Sequence, residues 1–224
     1  MSVSALVRQD ALLNAIREAL SKGRRHKFVE SVDMMVVLRD VDLNKPENRV
    51  SLNVPLPHPP KLNKIAAFAS GAFEVAAKNA GVDAIIGRDQ IEALAGKKRE
   101  IRKLAKRYDY FIATPDLMPL IGRVLGSVFG PRGKMPEVVP PNVDPKAVVD
   151  RLKRSVRLKL RTEPVVKLRV GSEAQKPEEI AANIMAVLEE LNAKFPLKQH
   201  VARIYLKKTM GPPVLLKEEL LVSR

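Results

Sequence analysis

The sequence predicts two domains of mixed class, α/β and α+β. A discontinuous α+β domain with an antiparallel sheet uses residues 1–60 and 155–224, and an inserted α/β domain with a parallel sheet uses 61–154. Three observations carry this reading. Residues before 60 and after 155 hold strands that alternate apolar and polar side chains, the mark of a sheet with one solvated face. Between them, short apolar strands alternate with helices, which calls for a parallel sheet covered on both faces. Pro55, Pro57, Pro59 and Pro60 stand between the two patterns, where neither a central strand nor a helix interior can continue.

Taken in order, residues 3–21 read as an amphipathic helix with Val3, Leu6, Val7, Leu13, Ile16 and Leu20 on one side, ended by Gly23. Residues 28–39 read as a strand, with Val32, Met34, Val36 and Leu38 on one face and Ser31, Asp33, Met35, Val37 and Arg39 on the other, and residues 49–54 as a second. In the insert, strands are expected at 65–69, 84–86 and 110–113. Helices are expected from a Ser70 cap to about 81, at 89–94, at 97–107, from Asp116 onward, and from Asp144-Pro145 to about 154. Residues 156–170 read as a hairpin turning at Glu163-Pro164, with Arg157, Lys159, Arg161, Lys167 and Arg169 on its outer face. A helix over 177–194 and a strand over 201–208 close the pattern. Two chain crossings, near 57–64 and 153–156, are expected to form a hinge.

Forty Lys+Arg against 25 Asp+Glu leave a formal charge of +15. A surplus of that size points to a polyanion, with nucleic acid the foremost class. No cysteine is present and the three histidines lie far apart, so neither disulfide nor metal spacing is found, and no cofactor is expected. No signal-peptide core and no apolar run of about 20 residues is seen, so a cytoplasmic protein without a membrane partner is expected.

The glycine-rich stretch from Gly122 to Pro136 first suggests a phosphate cradle, with Arg132 and Lys134 beside Gly133. It fails the nucleotide patterns. A P-loop needs glycine where Val128 stands and Ser or Thr where Met135 stands, and no Gly-x-Gly-x-x-Gly occurs. The helix 97–107 carries seven cations and one acid, Glu100, and reads either as a solvated face or as an auxiliary phosphate contact. Six Phe, three Tyr and no Trp are few for a stacking platform, which favours a folded RNA read by shape and 2′-hydroxyl contacts. Thr209, with a hydroxyl that donates and accepts, and Gly211, which permits close backbone approach, end the last strand. Alone, they read as an ordinary strand end. No catalytic constellation is found, so an enzyme is not expected.

The run Phe111-Ile-Ala-Thr-Pro-Asp-Leu-Met-Pro-Leu-Ile-Gly-Arg-Val-Leu-Gly-Ser-Val-Phe-Gly-Pro-Arg-Gly-Lys-Met-Pro136 closely resembles the signature of the ribosomal protein L-one family. Lys27-Phe28-Val29-Glu30-Ser31 and Thr209-Met210-Gly211-Pro212 resemble two further family segments. The resemblance spans essentially the whole chain, and the Gly-Pro-Arg-Gly-Lys-Met-Pro form is similar to archaeal members. It implies a discontinuous terminal domain with a Rossmann-like insert, monomeric when free and located on the cytoplasmic ribosome. It also implies three partners: large-subunit rRNA at the mobile lateral stalk, exit-site tRNA whose release the stalk assists, and the protein's own mRNA, whose translation it represses. By position, RNA contacts fall on Lys27, Phe28, Ser31, Thr209, Met210 and Gly211. Ser31 stands where bacterial members commonly have Thr and keeps the hydroxyl, whereas Arg203 stands where some have Ser. Arg161 and Lys167 are added from strand alternation alone. Two other classes are a nucleotide-binding enzyme on the insert and a ribosome assembly factor sharing the domain pair.

Overall fold

The structure, a computed structural model, describes residues 8–24, 26–140 and 142–216. In chain order the elements are α1 (Gln9–Ser21), β1 (Ser31–Leu38), β2 (Val50–Pro55), β3 (Ile65–Phe68), α2 (Ala72–Asn79), β4 (Ala84–Ile86), α3 (Arg88–Ala93), α4 (Lys98–Arg107), β5 (Tyr110–Ala113), α5 (Met118–Arg132) and β6 (Glu137–Val138). Then follow α6 (Pro145–Arg154), β7 (Ser155–Leu160), β8 (Val165–Ser172), α7 (Pro177–Lys194), α8 (Leu197–His200), β9 (Val201–Lys208) and β10 (Val214–Leu216). The chain divides into two compact units, one of Met1–Lys61 with Arg154–Arg224 and one of Leu62–Lys153.

In the first unit an antiparallel sheet runs β10-β9-β1-β8, and β2 pairs with β7 in a separate ribbon. Val32, Met34, Val36 and Leu38 of β1 are buried with Leu158, Leu160, Val166, Leu168, Ile204 and Leu206. The apolar face of α7 (Ile180, Ile184, Val187, Leu188, Leu191) covers this core, together with Leu12, Ala15, Ile16 and Ala19 of α1. Leu12 was not among the residues expected inside, and Val3, Leu6 and Val7 lie outside the described residues. The fully buried amide of Asn183 fixes the proline-rich crossover. Its Nδ2 donates to the Val170 carbonyl at 2.8 Å, and its Oδ1 accepts from the His58 N–H at 2.9 Å.

The expected 156–170 hairpin is not formed. β7 pairs with β2, with Asn53 opposite Arg157 and Ser51 opposite Lys159, while β8 pairs with β1, with Met35 opposite Lys167. Alternation fixes which side chains face inward, not which strand is the neighbour, and both chain ends supply partners here. The first strand also starts late, at Ser31 rather than residue 28.

In the second unit a parallel sheet runs β4-β3-β5-β6. Its strand side chains alternate between two cores. Phe68 and Phe111 pack with Ile91 of α3, Ile101 of α4 and Leu125 and Phe129 of α5 on one face. Ile65, Ala67 and Ile112 pack with Phe73 of α2 and with Val149 and Leu152 of α6 on the other. The helix α2 is not capped by Ser70. Gly71 occupies that position, and no side chain bonds there.

Candidate RNA interface

The inward phase of β1, read backwards through Val36, Met34 and Val32, reaches Glu30. The inward phase of β9, read forwards through Ile204 and Leu206, reaches Lys208. Both are buried, at 1% and 4% exposure, with Lys208 Nζ 3.7 Å from Glu30 Oε1. The other carboxylate oxygen accepts the Met210 N–H at 2.8 Å. The Glu30 N–H donates to Glu173 Oε1 at 3.0 Å, and the Glu173 N–H donates back to the Glu30 carbonyl at 3.0 Å. The Glu30 carboxylate thus faces the Lys208 ammonium with one oxygen and accepts the Met210 N–H with the other, and a buried pair is tolerable where its charges are met in this way.

This anchor holds two segments side by side. The backbone N–H of Thr209 donates to the Ser31 carbonyl at 3.0 Å, and its hydroxyl reaches the same oxygen at 3.3 Å. The Gly211 N–H closes a turn on the Lys208 carbonyl at 3.0 Å. A Cβ added at Gly211 would stand 3.2 Å from the Lys208 Cβ and 3.4 Å from the Lys22 carbonyl. One added at Gly23, where φ is +100°, would stand 3.2 Å from the Gly211 Cα. Glycine at these positions lets the chain after α1 pack onto the turn.

Outside the anchor the usual distribution is inverted. Phe28, Val29 and Met210 are 54%, 63% and 63% exposed, and His26 stacks on Phe28 with ring centres 5.5 Å apart. Lys27 and Thr209 are also exposed, and Ser31 is half-buried. The structure thus brings Lys27, Phe28, Ser31, Thr209, Met210 and Gly211 to one end of the four-stranded sheet.

Arg161 and Lys167 lie elsewhere. Lys167 sits on the open sheet face opposite Met35, about 13 Å along β1 from Ser31, and pairs with Glu163 at 3.0 Å. Arg161 lies past the end of β7. It lines a cleft of about 630 Å³ with Leu43, Asn44, Arg49, Val50, Ser51 and Thr162, toward the Leu38 end of the sheet. The five cations expected on one hairpin face are therefore split, with Arg157 and Lys159 on the ribbon, Lys167 and Arg169 on the four-stranded sheet, and Arg161 beyond the end of β7. On the four-stranded face, burial raises the pKa of Asp33 even though the flanking Lys207 and Arg169 oppose the rise. On the ribbon, burial and then repulsion from Arg157 and Arg161 lower that of Lys159.

Sequence reasoning missed Glu30, Lys208, Val29 and His26. The signal for the first two was present, since each continues a core-facing alternation by one step. It was passed over because charged residues are rarely buried unless paired.

The glycine-rich stretch resolves differently. Gly122–Arg132 is helical, and Gly133, at φ +63°, ends α5. The Gly133 N–H bonds the Gly130 carbonyl and the Lys134 N–H bonds the Phe129 carbonyl, both at 2.9 Å. The backbone donors imagined for a phosphate are thus spent on helix carbonyls. Lys134 Nζ reaches the Ala105 and Tyr108 carbonyls at 2.7 and 2.6 Å, closing the end of α4. Among the described residues no cluster of three or more His, Asp or Glu could hold a metal ion, and no helix is long and apolar enough to cross a membrane.

Comparison with known proteins gives a family model, described as the Ribosomal protein L1p/L10e family, that matches residues 18–212. A protein of Pyrobaculum islandicum named "Large ribosomal subunit protein uL1" is 69% identical over 215 residues, covering 96% of this chain and 97% of that one. Proteins of the same name from Thermofilum pendens and Archaeoglobus fulgidus are 49% and 45% identical, over 98% and 93% of this chain and 98% of each relative.

Proposed function

Because the chain belongs to the Ribosomal protein L1p/L10e family, we propose that it is a structural, non-enzymatic constituent of the large subunit of the cytoplasmic ribosome that binds a folded rRNA through its first unit. The observation that carries this reading is the inverted sheet end, with charged Glu30 and Lys208 inside and apolar Phe28, Val29 and Met210 outside, in a chain of net charge +15. Exposed apolar groups set among bonded backbone form a surface ready to take a partner without being ordered first.

Each residue then has a task. Thr209 and Ser31 present hydroxyls for ribose 2′-hydroxyls, Gly211 lets the turn beneath them close on the chain after α1, and Phe28 and Met210 pack on sugar and base. Lys27 and Lys167 meet phosphates, which position without specifying, and Arg161 meets them farther along the sheet. Residues 1–60 with 155–224 act as the rRNA-binding domain, and 61–154 as an appendage that moves with the stalk. By the same reading the protein, monomeric when free, assists release of exit-site tRNA. It also represses its own mRNA wherever that mRNA copies the rRNA fold.

Filter binding of the full chain to a stalk rRNA fragment and to an unrelated duplex, each at two salt concentrations, tests this. Thr209→Ala is expected to weaken the stalk complex by ~1–3 kcal/mol and to leave the unrelated complex unchanged. Equal loss on both RNAs would remove Thr209 from the recognition surface, and equal wild-type affinity for both would end the proposal.

A further inference from the structure

A cleft of about 510 Å³ lies in the second unit, at the edge of the parallel sheet, and we infer that it receives a single unstacked RNA nucleotide, base inward and phosphate on the α4 wall. The inference rests on the RNA-binding reading above and adds to it a site in the other unit.

The floor is aliphatic, made by Ile86, Ala93, Leu94 and Leu104. Leu94 and Leu104 are only half-buried, so the unit leaves apolar carbon uncovered there. Gln90, also in the lining, carries a neutral amide that both donates and accepts, as a base edge requires. The volume falls within the usual range of small-ligand sites.

The charge lies on one wall. Lys97, Lys103 and Arg107 come from α4 and the residue before it, and the acid among them, Glu100, is engaged by Lys103 at 3.2 Å. The fold alone does not favour this arrangement. Lys97, Lys98 and Arg99 crowd the positive end of the helix dipole, and Arg99, Lys103 and Arg107 repel at four-residue spacing. A bound phosphate offsets the share of both penalties that falls on Lys97, Lys103 and Arg107, the cations lining the cleft. The α3 side bears no cation in the lining, and of the neighbouring acids on α3 Asp89 is exposed while Glu92 is held by Arg88 at 3.1 Å. An acidic amphipathic helix laid in the groove would run against Asp89 and find no cation lining that side. A nucleotide, with its charge at one end only, would not.

The test uses the full-length chain. Methyl resonances of Leu94 and Leu104 are followed as AMP, GMP, CMP or UMP is added, with inorganic phosphate and a synthetic acidic amphipathic peptide as parallel probes. At least one nucleotide is expected to give saturable shifts, and Gln90→Ala or Lys103→Glu, both at exposed positions, to weaken that binding about tenfold. The same shifts with phosphate alone, saturation by the peptide only, or no shift at all would each overturn the inference.

A second arm carries 4-thiouridine in the stalk rRNA fragment or in tRNA. A cross-link to residues 88–107, lost in Lys103→Glu, is expected from one of them and identifies the source. Normal stalk affinity with no such cross-link from either RNA overturns this site alone. Failure to bind the stalk fragment overturns the reading beneath it.

Discussion

The sheet end near Thr209 and the glycine-rich helix α5 both drew notice as sequence motifs with glycine and cations, and the fold treats them in opposite ways. At the sheet end, charge goes inside as the Glu30–Lys208 pair, and Phe28 and Met210 are left in solvent. In α5, Leu125 and Phe129 go inside, and the cation Lys134 is used up on the carbonyls of α4. The first arrangement spends folding stability on a prepared surface, while the second is ordinary construction. Glycine and lysine in a short run therefore say little until it is known where their hydrogen bonds end.

The contrast can be broken by mutation. Removing one member of a buried pair leaves an uncompensated charge, so Glu30→Ala is expected to destabilise the chain by about 3–5 kcal/mol in denaturant unfolding. The double variant Glu30→Gln with Lys208→Met should recover most of that loss. A drop below about 1 kcal/mol in the single variant would mean that the sheet end is not anchored by this pair. Lys134→Ala should cost about 1.5–3 kcal/mol, the worth of hydrogen bonds from a charged donor, with RNA affinity unaltered. Weaker RNA binding at unchanged stability would return Lys134 to the role of a phosphate ligand.

The smallest effect belongs to Lys159. Its folded-state pKa lies below the ordinary 10.5, so the charged form is the costly one and its share of stability is lost as pH falls through the folded value. Lys159→Gln should therefore raise the melting temperature slightly at pH 7, with the gain disappearing above about pH 10.5. The same change should lower the salt slope of RNA binding by roughly one. An unchanged slope would place the ribbon face outside the RNA contact.

Much of the fold was legible where a pattern is long and local. The helix α7 and the strands β4, β5 and β9 have the expected limits, because periodicity and flanking proline or glycine act within the segment itself. The two-residue β6 and three-residue β10 were not expected, because each lies beside prolines, Pro136 and Pro212-Pro213, that read as breakers. The β2–β7 ribbon was missed for a different reason. Its partners are about a hundred residues apart, and nothing in either strand names the other. At the candidate site the exposed residues came from family resemblance, while the ion pair beneath them is visible only once two alternations are seen to converge.

The discontinuity of the first unit also imposes a schedule. Leu38 ends β1, yet both of its sheet neighbours, β8 and β9, leave the ribosome later, the second about 170 residues on. At roughly 5–20 residues per second, β1 waits on the order of ten to thirty seconds for partners, while Leu62–Lys153 can fold as one contiguous piece meanwhile. Thr209 and Met210 follow β9, so the sheet end cannot be assembled until that strand has been made. Any activity that depends on it waits until β9 and the turn after it have been made.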